Sequence, residues 1–122
     1  MPADLRRDGV DPSPVAGLKS GDIHRVRFGR AKGHTRAGTR PAVILQANGL
    51  MGLSTVILAP LSRSARGTSF RPRVLMDDIP SRLLVEQMTV VDVRQVGTRL
   101  GTVSADEHVE IDQALRLVLG MR

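Results

Sequence analysis

The sequence predicts a mainly β fold, a small barrel or strongly curled sheet, with one helix at the C-terminus. Three observations predict it. Short β-type runs recur between Asp22 and Val103, two of them are continuously apolar, and the hydrophobic period becomes helical after Ser104. With 122 residues the chain supports one hydrophobic core rather than two domains. Residues 1–19 mix charges with three prolines and keep no steady period, so they read as a flexible arm ahead of a folded unit spanning 20–122.

The elements follow in order. Asp22 to Phe28 places Ile23, then Val26 and Phe28, on one face after a small irregularity, as a half-buried strand does. A long basic connection, Gly29 to Thr39, separates it from Ala42-Val43-Ile44-Leu45. That run and Thr55-Val56-Ile57-Leu58-Ala59 are apolar throughout, the pattern of central strands covered on both faces. Further strands are expected at 73–76, 83–85, 88–93 and 97–103. Ser104-Ala-Asp-Glu107 then has the form of a capping box, in which two side chains satisfy unpaired N–H groups of the first helical turn. Val109, Ile111, Ala114, Leu115, Val118 and Leu119 recur at helical spacing, and Gly120 can end the helix in a left-handed conformation.

Composition narrows the function. Eighteen Lys and Arg against twelve Asp and Glu give a net charge of +6, which favours a polyanion or an acidic protein. Arg predominates, and its planar fork binds phosphate and stacks on flat rings, so nucleic acid outranks a membrane surface. Phe28 and Phe70 are the only aromatic residues, which argues against a module that strings bases along many rings. Cysteine is absent, which removes disulfide and thiolate chemistry. The longest apolar runs fall far short of the roughly 20 residues of a membrane helix, and the N-terminus has no secretory core. A cytoplasmic protein is the expectation. His24, His34 and His108 stand apart without a carboxylate at ligand spacing, so neither a metal nor a cofactor is expected. Phosphate-loop, nucleophile-elbow and metal-helix signatures are missing from the sequence.

Several residues could carry chemistry, each with a plainer reading beside it. Arg40 precedes Pro41, which biases it to an extended conformation, and opens a buried strand; it is either a rigidly mounted rim cation or a surface arginine ending a loop. Ser62 follows the strand that ends near Pro60 and could bind a phosphate oxygen or cap a turn. Glu86 interrupts an apolar run and could be a half-buried base or lie on a solvent face. His34, in the basic loop, has an intrinsic pKa suited to proton transfer, or is simply solvated. Lys32, Arg36, Arg63, Arg66, Arg71 and Arg73 add positive charge to the two loops that flank Arg40.

In this order the segments resemble the MazF/PemK endoribonuclease toxins of bacterial toxin–antitoxin systems. The resemblance runs through Gly21-Asp22, Gly38-Thr39-Arg40-Pro41-Ala42-Val43, Thr55 to Ser62, Val85 to Asp92, Leu100 to Ser104 and the closing Ile111 to Leu115 helix. It implies an SH3-like β-barrel with a C-terminal helix, commonly a homodimer. The implied activity is metal-independent cleavage of single-stranded RNA by 2′-hydroxyl attack, leaving a 2′,3′-cyclic phosphate and a 5′-hydroxyl. Arg40 then matches the family's catalytic arginine, and Ser62 falls where the family commonly has a catalytic Thr. His34 and Glu86 match positions given proton-transfer or base roles in some members. Base recognition would lean on backbone groups, arginine stacking and Phe70. The implied partner is a cognate, acidic, MazE-like antitoxin that folds across the basic loops. The chain departs from the family at His34-Thr35-Arg36, where many members read Ser-Glu-Gln, and at Thr89, where many have Arg.

Two other readings compete. Gly21 to Gly29 with Lys32-Gly33 looks like the KOW motif of noncatalytic RNA-binding barrels, but that motif leaves Arg40-Pro41 and Glu86-Gln87 without a role. A gyrase poison of the CcdB type would share the fold, yet typically uses a C-terminal Trp-Gly-Ile, and this chain ends Leu119-Gly120-Met121-Arg122.

Overall fold

Alternation along the first strands decides which side chains enter which core. In the computed structural model, which describes residues 17–29 and 38–122, β1 (Asp22–Phe28) pairs antiparallel with β2 (Gly38–Ile44). Most of the expected arm, residues 1–16, and the loop segment holding Lys32, His34 and Arg36 lie outside the described residues. Ile23 faces Val43 across the pair, and Val26 faces Arg40. The odd-numbered side chains of β2 thus go to one core and the even-numbered ones to another.

Strand β3 (Thr55–Ser62) joins the rest of the sheet. One edge pairs with β2 from Leu58 to Pro60. Its other edge pairs first with β6 (Thr89–Asp92), then, at Leu61 and Ser62, with β5 (Ile79–Leu83). With β4 (Arg73–Met76) beyond β5, and β7 (Val96–Thr102) beyond β1, the order is β4-β5-β3-β2-β1-β7 in a seven-stranded sheet. A strand that changes partners midway must bend, which curls the sheet. Pro41 and Pro60, neither with an N–H to give, stand where the β2–β3 ladder ends, as expected of a ladder's limit.

The curl produces two cores back to back. One holds Ile23, Val43, Ala59, Leu61, Val74, Leu83 and Val85, closed by Val103, Ile111 and Ala114. The other holds Val26, Ala42, Ile44, Val56, Leu58, Val91, Val93 and Val96, and takes in Leu18, two residues before the expected start of the folded unit. Both faces are therefore covered along β2 from Ala42 and along β3 from Leu58, where the sequence is unbroken and apolar, while Ile57 stays exposed.

Helix α1 (Ala105–Leu119) is terminated as its sequence predicts. Ser104 Oγ accepts from the Glu107 N–H at 3.1 Å, the Ser104 N–H donates to Glu107 Oε1 at 2.8 Å, and Gly120 adopts φ 68°. Of the expected apolar stripe, Ile111 and Ala114 are buried and Leu115 partly so, whereas Val109, Val118 and Leu119 remain exposed. Gly21, at φ +87°, lies so close to the helix that a Cβ there would meet His108 Nε2 at 2.5 Å.

Glu107 does a second task, because its Oε2 accepts the Leu75 N–H of edge strand β4 at 2.7 Å. Glu107→Ala is expected to cost about 1–2 kcal/mol by unmaking both bonds, with Glu107→Gln falling in between. Urea unfolding midpoints check this; an unchanged midpoint would mean that solvent replaces both acceptors.

The expected strand over 83–85 is corrected: β5 runs from Ile79 to Leu83, and Val85–Gln87 is a 3-10 turn. The cause is a two-residue hairpin at Asp77 and Asp78, with φ 51° and 62°, which sends the chain back earlier than the apolar residues suggest. A second polar turn follows β6, where Asp92 caps Val93–Gln95. The Arg94 guanidinium first, and the Arg94 N–H next, hold the Asp92 carboxyl down to about 2 from 3.8. Since the folded value is the lower one, this stabilisation is present above about pH 4 and disappears as pH falls towards 2. The stability difference between the native protein and Asp92→Asn should accordingly be flat at neutral pH and shrink only in that acid window. A difference that already varies between pH 5 and 8 contradicts it.

Candidate active site

Arg40 is mounted two residues beyond the last β2–β3 rung. The last β2–β3 pair is Ala42 with Pro60, and beyond it Ser62 pairs with Arg82 of β5. Arg40 is half-buried, and its Nε is sealed from solvent without a hydrogen-bond partner. By contrast, Arg71, Arg94 and Arg99 are ion-paired, to Glu86, Asp92 and Asp22. A guanidinium held half-buried with an unmet N–H and no carboxylate partner among the described residues is suited to receive an anion.

Ser62 ends β3 and is 2% exposed. Its Oγ accepts from the backbone N–H of Ala65 at 3.1 Å and of Ser64 at 3.3 Å, so the hydroxyl organises the turn leading to Arg63 and Arg66. These two bonds bear out the turn-capping reading.

Glu86 lies in the 3-10 turn between β5 and β6, where Arg71 grips its Oε2 through Nε at 3.0 Å and through Nη2. That bonding holds the Arg71 guanidinium above its ordinary range. Arg71 also donates to the Arg66 carbonyl at 3.3 Å, and its guanidinium sits 5.7 Å from the Phe70 ring centroid. Glu86, Arg71 and Phe70 thus form a latch between the loop after β3 and the turn before β6. Arg73 faces Arg82 across the β4–β5 hairpin, and Arg82 in turn donates to the Arg71 carbonyl at 3.2 Å.

Two concavities flank these strand ends. One, of about 320 Å³, includes Arg25, Thr39, Arg40, Arg63, Ser64 and Ser81 in its lining. The other, about 360 Å³, is bordered by Phe28, Pro60, Glu86, Gln87, Met88 and Val90. Arg40 and Arg63 are therefore brought together, while Glu86 opens on the neighbouring concavity. Lys32, His34 and Arg36 lie outside the described residues. Sequence reasoning missed Ser81 and noted Gln87 only as the companion of Glu86. Ser81 is a polar residue at an inward position two before Leu83, and Gln87 has a buried Oε1 without a donor.

A curled antiparallel half-barrel with one C-terminal helix and an arginine-lined rim defines a small β protein built to meet an anionic partner. The chain belongs to the PemK-like, MazF-like toxin family of type II toxin–antitoxin systems, whose family model matches residues 19–119. A Mycobacterium tuberculosis protein named as a toxin is 33% identical over 103 residues, which cover 83% of this chain and 96% of that one. Endoribonuclease MazF of Staphylococcus epidermidis is 26% identical over 111 residues, covering 85% and 92%. Among solved structures, MazF of Deinococcus radiodurans superposes with a TM-score of 0.72 at 24% identity, covering 85% of this chain and 97% of that one. A mycobacterial endoribonuclease in complex with its cognate antitoxin superposes with a TM-score of 0.74 at 18% identity, covering 87% and 98%. The mainly β architecture with a C-terminal helix is thus that of the MazF structures.

Proposed function

We propose that this chain is the toxin of a toxin–antitoxin pair and an endoribonuclease that cuts single-stranded RNA at short sequences without a metal. The observation that carries the reading is Arg40, half-buried at a fixed strand position with an unmet Nε–H and no acidic partner among the described residues. In the proposed reaction the RNA 2′-oxygen attacks the adjacent phosphorus. A bond from O2′ to phosphorus forms, the bond from phosphorus to O5′ breaks, and the products are a 2′,3′-cyclic phosphate and a 5′-hydroxyl.

Arg40 would stabilise the charge that grows on the non-bridging oxygens, which is where a preorganised cation acts most strongly. Ser62, at the end of the adjoining strand β3, would donate to one of those oxygens. Proton removal from the 2′-hydroxyl falls to Glu86 through Oε1, the oxygen that Arg71 does not grip, or to His34, and the departing 5′-oxygen takes up one proton from the other of the two or from water, so that protons balance. Lys32, Arg36, Arg63, Arg66 and Arg73 would hold the strand's phosphates. Family membership and an endoribonuclease relative support this reading.

The test is incubation of the protein with a long unstructured RNA in EDTA, followed by typing of the product ends. Discrete cuts with cyclic-phosphate ends are expected. Intact RNA with salt-sensitive binding would instead indicate a noncatalytic barrel, and trapping of DNA gyrase by the same sample a gyrase poison. We further propose that the protein acts in the cytoplasm as a homodimer and is inhibited by an acidic segment of its antitoxin lying over the basic rim.

A further inference from the structure

The cavity containing Arg25 and Ser81 is not simply the front of the Arg40 site. Arg25 faces Pro41 across β1–β2, and Ile23 faces Val43 in the same alternation, so Arg25 extends the face of the Ile23–Val43 core. Ser81 faces Val74 across β4–β5, and Val74 belongs to that same core. Arg40 follows the opposite alternation, with Ala42 and Ile44 of the other core. Arg40 nevertheless borders the cavity, which makes it a shared wall between the two sides of the strand ends.

The lining has the chemistry of an anion site. Arg25, Arg40 and Arg63 contribute charge, Thr39, Ser64 and Ser81 contribute hydroxyls, and among the described residues the wall of this cavity of about 320 Å³ has no carboxylate. None of the three arginines has an acidic partner among the described residues. Ser81 is 2% exposed, and its buried Oγ has no hydrogen-bond partner, an arrangement that is unfavourable until a ligand or water meets it. A phosphate diester suits such a wall, because its two charged oxygens sit on a tetrahedral phosphorus and meet donors that converge from different sides.

We propose that this cavity is a second phosphate subsite, which takes a backbone phosphate of the RNA other than the one that is cut, with Arg25, Arg63 and the Ser81 hydroxyl as its ligands. The proposal rests on the RNA-cleaving reading and adds a contact on the far side of Arg40. It makes substrate length matter. A strand with neighbouring phosphates engages the subsite, and a dinucleotide carrying only the scissile phosphate does not.

Arg25→Ala and Ser81→Ala should be compared with the native protein on a long unstructured RNA and on a dinucleotide. For long RNA, KM is expected to rise about fivefold to tenfold in each variant with kcat within twofold, and Arg25→Ala should lower the salt slope of binding by about one. On the dinucleotide both variants should match the native protein. Inorganic phosphate should inhibit the native protein more than Ser81→Ala, and the melting temperature of Ser81→Ala should equal or exceed the native value.

Equal losses on both substrates would overturn the proposal, since they would mean that the residues position Arg40. Unchanged KM on long RNA, with weaker inhibition by an acidic peptide, would overturn it in favour of a carboxylate site. If the native protein binds RNA without cutting it, the cleavage reading fails, and the same length-dependent loss measured by fluorescence anisotropy still supports the subsite. Cleavage that neither variant alters sinks the subsite and leaves the cleavage reading standing.

Discussion

Arg40→Ala is expected to lower kcat for RNA cleavage by at least about 10³-fold, because in the proposed reaction it removes the cation that faces the developing phosphorane charge. The fold should be little changed, since Arg40 makes no ion pair with a described residue and its Nε has no acceptor to lose. KM should move much less than kcat, as expected when an interaction is made mainly in the transition state. Arg40→Lys keeps the charge and loses the planar fork, so it should recover part of the rate and stay at least about tenfold below the native protein. Single-turnover rates in EDTA with a long unstructured RNA measure both. An Arg40→Ala protein that cuts within threefold of the native rate would remove Arg40 from the chemistry.

Ser62→Ala should act on stability and rate together. The Ser64 and Ala65 N–H groups lose their acceptor, for an expected cost of about 1 kcal/mol. If Ser62 also serves the phosphate, kcat should fall by about 10²-fold beyond what the lower stability explains. Ser62→Thr keeps the oxygen and adds a methyl that narrows the rotamer choice, so it should restore both properties. A Ser62→Ala protein that is destabilised but cuts at the native rate would leave the residue as a turn cap alone.

What was legible in the sequence follows from how local its physical cause is. The helix could be read to the residue at both ends, because a capping box and a terminal glycine act within one turn of chain. Strands β2 and β3 announced themselves as unbroken apolar runs because a second core covers their other face. The position of Arg40 at the mouth of a buried strand was visible because Pro41 and that strand adjoin it. The latch between Arg71 and Glu86 was not visible, since it joins loops 15 residues apart through a long-range curl of the sheet. The start of β5 was missed for a different reason. Its turn uses Asp77 and Asp78, which tolerate the left-handed conformation without the glycine that usually advertises it. Nothing adjacent in sequence marks Ser81, which only the hairpin register turns inward beside Val74.

The two-handed Glu107 carboxylate has a kinetic consequence. One oxygen closes the helix start and the other closes the edge of β4, so fraying of the helix and release of the strand edge become a single opening event. Hydrogen exchange at the Leu75 and Ser104 amides should therefore proceed with a common protection factor. The β4–β5 hairpin, which carries Arg73, Ser81 and Arg82 to the basic rim, owes part of its stiffness to the first turn of the last helix.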